Sequence, residues 1–166
     1  FFDLAVQAAK GGHSFWAHRF LGCGLHYIDA LGQPYHANQF SSFKLLPIRI
    51  LVKKGWEAFI KETTRVVANF HLSFEKFIER EVAAGNSVLL SSYRVPLGNH
   101  QWVPQLNSTL SIESGARELA VASARLAPHV VAKQFPLLGN ALLEPALELG
   151  QGFEDSSGKP KVNFDA

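Results

Sequence analysis

The chain has 166 residues, of which 47% are hydrophobic and 18% charged, so it can bury the core of one domain and is not a disordered or low-complexity polymer. Sixteen Lys and Arg against fourteen Asp and Glu leave a net charge of +2, too small an excess for a dedicated nucleic-acid binder. The single cysteine, Cys23, excludes an intrachain disulfide; no apolar run is long enough to span a bilayer, and no signal segment opens the chain.

Helical spacing begins at once, with Phe1, Phe2, Leu4, Ala5, Ala8 and Ala9 leading to a stop at Gly11 and Gly12. A second helix is predicted over about 14–31, carrying Trp16, Phe20, Leu21, Leu25 and Ile28. Gly22 and Gly24 lie inside it, and their cost of about 1 kcal/mol each relative to Ala points to a close approach by another element. Residues 32–38 read as a loop, because Pro34 lacks the amide that a continuing helix needs. Pro47 then ends an apolar run, and two amphipathic helices follow over about 48–69 and 71–84, the second ending at Gly85. Residues 86–107, with Pro96, Gly98 and Pro104, read as a long loop. Thr109 or Ser111 can cap the next helix, which runs to about Lys133 with Pro128 kinking it or limiting its start. A last helical stretch covers 137–149, weakened by Pro145. The fold class is all-α: a helical domain over 1–149, with 150–166 as a loose, polar C-terminal tail. The absence of Met and the start at Phe1, inside an apolar pattern, read as a piece of a larger protein.

Two clusters carry chemistry. His71 and Glu75 are four residues apart on a predicted helix and share one face, as do His26 and Asp29 at a spacing of three. His36 follows in the loop behind Pro34. Imidazole nitrogen with carboxylate oxygen suits zinc, although His71 with Glu75 is equally the pattern of an exposed pair of little consequence, and His26 of a hydrogen-bonded core histidine. His13, His18, His100 and His129 have no partner at ligand spacing.

The order His26-Tyr27, Gln33-Pro34, His36-Ala37-Asn38 and Phe40, then His71, Glu75 and Phe77, resembles the zinc-dependent phospholipase C family. That helical superfamily also includes zinc-dependent single-strand nucleases, a branch the quoted residues favour less. The family motif reads H-Y-L-G-D-x-x-Q-P-x-H, then A-x-N-F, then H-x-x-x-E-x-F. Phe2-Asp3-Leu4-Ala5 and Val130-Val131-Ala132-Lys133-Gln134 extend the resemblance over about residues 1–135.

The resemblance implies a helical bundle of phospholipase C type, represented by its C-terminal part, and a zinc-dependent phosphodiester hydrolase. A phospholipid or other phosphodiester is the implied substrate, at an extracellular or cell-surface location. His36, His71 and Glu75 would share one zinc and His26 would serve another. The acid four residues after that histidine bridges two metals in the family; here the position is Ala30, with Asp29 one residue early, a rotation of about 100° on a helix.

Two more departures accompany it. About twenty extra residues separate Phe40 from His71, adding the helix at 48–69, which is expected to pack beside the site unless Trp56 and Phe59 are exposed as a partner-binding arm. The family's N-terminal half, with its further ligands, would have to come from the rest of the same protein or from a partner chain. These departures keep a second reading open, a non-catalytic helical structural or assembly module holding one zinc or none.

Overall fold

The computed structural model describes residues 1–38, 43–88, 90–91 and 111–164, and the described residues are helical with no strand. Helix α1 (Phe2–Lys10) and helix α2 (Ser14–Gly32) form an antiparallel hairpin, turned at Gly12, whose φ of 75° is open to glycine. Gly24 faces α1 so closely that a Cβ there would lie 2.9 Å from the Phe2 ring, which accounts for one of the two α2 glycines; a Cβ at Gly22 would meet open space.

The expected loop at 32–38 contains one helical turn, α3 (Pro34–Ala37). Pro34 starts it without cost, since the first amide of a helix has no intrahelical partner, and the Gln33 side chain caps it by accepting from the Tyr35 amide.

The two helices read at 48–69 and 71–84 are one element, α4 (Ile48–Ala83). Its break comes earlier, at Gly55, with φ 82° and ψ −176°. Asn69 does not interrupt it, because its side chain works outward. Its Nδ2 donates to the carbonyls of Leu142 and Leu147 at 3.1 and 3.0 Å, and its Oδ1 accepts from the Leu149 amide at 3.0 Å.

Helix α5 (Ile112–Leu142) is capped by Ser111, whose hydroxyl accepts from the Ser114 amide at 3.2 Å. It runs through both Pro128 and Pro136, joining two stretches that the sequence reading kept apart. Pro128 leaves the Ala124 carbonyl without its helical donor, and the Asn38 side chain takes that place at 3.4 Å. At the other end Arg65 donates to the carbonyls of Leu143 and Leu147, at 3.2 and 2.6 Å, while pairing with Glu62. A cation thus faces the negative end of α5.

The core is formed by Tyr35, Leu45, Val66, Phe70, Val131, Leu142, Leu147, Leu149 and Val162. Val162 belongs to the segment expected to be a loose tail, which instead folds back on the bundle. Phe153 and Phe164 pack against the core, and Lys161 N donates to Phe153 O at 2.7 Å. Asp155 closes the turn between them, accepting from Ser157 N, Ser157 Oγ and Lys159 N at 2.8, 2.6 and 3.0 Å; these donors hold its carboxyl below the usual range. Burial of these apolar residues opposes the cost of ordering the segment. The expected loop at 86–107 lies largely outside the described residues, as does Thr109.

No described helix is long and apolar enough to cross a membrane.

Candidate metal centre

His71 and Glu75 stand one turn apart on α4, with His71 Nε2 and Glu75 Oε1 separated by 2.9 Å. His36 reaches them from α3. Its ring lies 4.5 Å from that of His71, nearly perpendicular to it. The donor atoms of His36, His71 and Glu75 all fall within 4.8 Å of one another. His71 is half-buried, whereas His36 and Glu75 are exposed, so the group opens to solvent.

Each member of the group has a support. His36 Nδ1 is 3.0 Å from the Ala30 carbonyl; since a carbonyl only accepts, Nδ1 is the donor there, which in the neutral ring leaves the Nε2 lone pair for a metal. Gln33 Nε2 donates to Glu75 Oε1 at 3.4 Å, so the residue that caps α3 also steadies the carboxylate. The Tyr35 ring is stacked parallel to His71 at 6.4 Å and meets Phe74 edge-on at 6.1 Å.

Beneath the group lies a polar knot that joins three helices. Tyr35 is fully buried, and its hydroxyl donates to Gln134 Oε1 at 2.6 Å. Gln134 Nε2 donates in turn to Phe70 O at 3.0 Å and Ser73 Oγ at 2.5 Å. Burial pushes the Tyr35 phenol well above its usual range, so it stays a hydrogen-bond donor. Ser73, Phe74 and Gln134 also line an apolar cavity of about 350 Å³ between α4 and α5, with Phe77, Leu126 and Leu137.

His26 and Asp29 do not join this group. Both are exposed on α2, where His26 makes a ring contact with Tyr27 and Tyr27 stacks on Phe1 at 5.4 Å. Among the described residues no second set of three metal-ligating side chains forms. The position expected to supply a bridging acid, Ala30, contributes only its backbone carbonyl.

Gln33, Tyr35 and Gln134 are the supporting residues that ligand spacing could not single out. The Gln33-Pro34 pair signals a helix start, but nothing in a local pattern marks Gln134, which lies 99 residues from Tyr35. Compared with protein-family models, with curated proteins and with solved structures, the chain matches none.

Proposed function

We propose that His36, His71 and Glu75 hold a zinc ion, and that the chain is part of a zinc-dependent phosphodiester hydrolase of phospholipase C type. The observation that carries this reading is the convergence of three donors, two imidazoles and a carboxylate, from two separate elements. Zinc bonds of about 2.0–2.2 Å are within reach of these side chains after small rotations. Closed structural zinc sites take four protein ligands, whereas a His₂Glu set leaves a position for water or substrate, as the exposure of this group requires. Zinc held there supplies a bound water of lowered pKa and polarises a phosphoryl oxygen.

The chain's own contribution is orientation. Ala30 fixes the tautomer of His36, Gln33 steadies Glu75, and the Tyr35–Gln134 bond holds α3 against α4 and α5. The neighbouring apolar cavity suits a substrate with an apolar portion, in keeping with a phospholipid outside the cell or at its surface. Further ligands come from the rest of the same protein or from a partner chain. The exposed apolar face of the α1–α2 hairpin, including Val6, Phe15 and Trp16, favours such a covering protein.

One observation favours a second reading, a non-catalytic helical module with a single zinc: among the described residues only one ligand group forms, with Ala30 where a bridging acid is expected. Zinc content per chain, measured by atomic emission after dialysis, separates the two. Three zinc ions in the completed protein, the number implied by the resemblance to the phospholipase C family, support the hydrolase, and one supports the module. A completed protein that retains no zinc ends both metal readings.

A further inference from the structure

Residues 48–61, the first part of α4, present an apolar stripe to solvent. Ile48 is 53% exposed, Val52 82%, Trp56 63% and Ile60 47%. They recur every fourth residue, two on each side of the break at Gly55. A stripe of this kind normally faces a core, but here burial begins only at Thr63 and Val66.

Arg49, Lys53, Lys54 and Lys61 flank the stripe, all exposed, and among the described residues none of them is in an ion pair. With Glu57 as its one acid, the segment carries +3, whereas the whole chain carries only +2, so the remainder is slightly acidic. The net positive charge of the protein is thus concentrated on a segment that also exposes Ile48, Val52, Trp56 and Ile60.

We propose that residues 48–61 dock the protein on the surface of an anionic lipid bilayer. Ile48 and Val52 on the first rod and Trp56 and Ile60 on the second, each pair bordered by Lys or Arg, form the pattern of an amphipathic segment that lies in the headgroup region. The stems of Lys53 and Lys61 can lie along the apolar face while their ammonium groups reach lipid phosphates. A Trp with one apolar and one polar edge is suited to that depth. Gly55 separates two rods, of which the first, 48–54, is held to the bundle by little of its own surface. This inference is independent of the zinc site, since it uses none of its residues.

The test is co-sedimentation of the 166-residue chain with vesicles of phosphatidylcholine alone and of phosphatidylcholine mixed with phosphatidylserine, at low and high salt. Binding is expected on the mixed vesicles only and weakens as salt rises. The double substitution Lys53→Gln/Lys54→Gln is expected to reduce binding on the order of 30-fold, at about fivefold per charge lost near the surface. Val52→Ser/Trp56→Ser weakens it as well, while Phe15→Ser/Trp16→Ser on the α1–α2 hairpin leaves it unchanged. These side chains are exposed, and circular dichroism checks that each variant keeps its helix. Equal binding to both kinds of vesicle would overturn the proposal, as would dependence on Phe15 and Trp16 rather than on 48–61. Retention on poly-glutamate without retention on vesicles would overturn it too, and would identify an acidic protein as the partner; the unsubstituted chain decides both of the comparisons that need no variant.

Discussion

Tyr35 and Gln134, 99 residues apart, are joined by a 2.6 Å hydrogen bond inside the bundle. Because Gln134 also donates to Phe70 O and Ser73 Oγ, this one side chain ties α3 and α4 to α5 directly below His36 and His71. Tyr35→Phe removes the donor and leaves the Gln134 oxygen buried without it. The expected cost is about 1–2 kcal/mol in urea unfolding, with an unchanged m-value. Gln134→Leu removes three hydrogen bonds at once, leaving the Tyr35 hydroxyl without a partner while Ser73 Oγ still donates to Phe70 O at 3.1 Å, and is expected to cost more.

Burial of the same tyrosine sets a pH dependence. The Tyr35 phenol is raised in the folded chain by burial, so folded and unfolded states hold the same proton below about pH 10, the value of an unperturbed tyrosine. Above that the unfolded chain releases a proton that the folded chain keeps. Stability is therefore expected to fall as pH rises beyond about 10, and Tyr35→Phe is expected to show a shallower alkaline decline. Denaturant midpoints measured across that range for both proteins check the difference.

Gln33→Ala separates positioning from ligation. Its amide steadies Glu75 without belonging to the ligand set. Zinc affinity, measured by competition with a chromogenic chelator, is expected to fall about 10- to 100-fold, the usual effect of losing an outer hydrogen bond to a ligand. Stoichiometry is expected to stay at one. A loss that matched His71→Ala would show instead that α3 had come apart.

His26→Ala and Asp29→Ala are expected to leave zinc binding by the 166-residue chain unchanged, since neither residue joins the ligand group. His36→Ala, His71→Ala and Glu75→Ala are each expected to abolish tight binding. Isothermal titration with zinc distinguishes the two sets.

The isolated chain is expected to hydrolyse no phosphodiester at a useful rate, even with zinc present. Among the described residues one ligand group forms, whereas phosphodiester hydrolysis of this type by resemblance needs neighbouring metals and an acid from elsewhere in the protein. Assay of a chromogenic phosphocholine ester checks this. Zinc-dependent turnover that disappears in His71→Ala would show the chain to hold a complete site.

The all-α class, the stop at Gly11-Gly12, a cap at Thr109 or Ser111 and the shared face of His71 and Glu75 follow from the sequence alone, because each depends on residues within about one helical turn of one another. Local pattern also misled at several points. Pro34 reads as a helix breaker until its place at the first position of α3 is known, and the polar composition of 150–166 hides the few apolar residues that anchor it. Tertiary structure alone decided that His36 meets His71, that His26 and Asp29 stay apart from them, and that the stripe from Ile48 to Ile60 is left uncovered. Periodicity tells which side of a helix a residue occupies, but not which other helix arrives there. That depends on particular long-range bonds, Tyr35 to Gln134, Asn38 to Ala124 and Asn69 to Leu142, whose partners no local spacing can name.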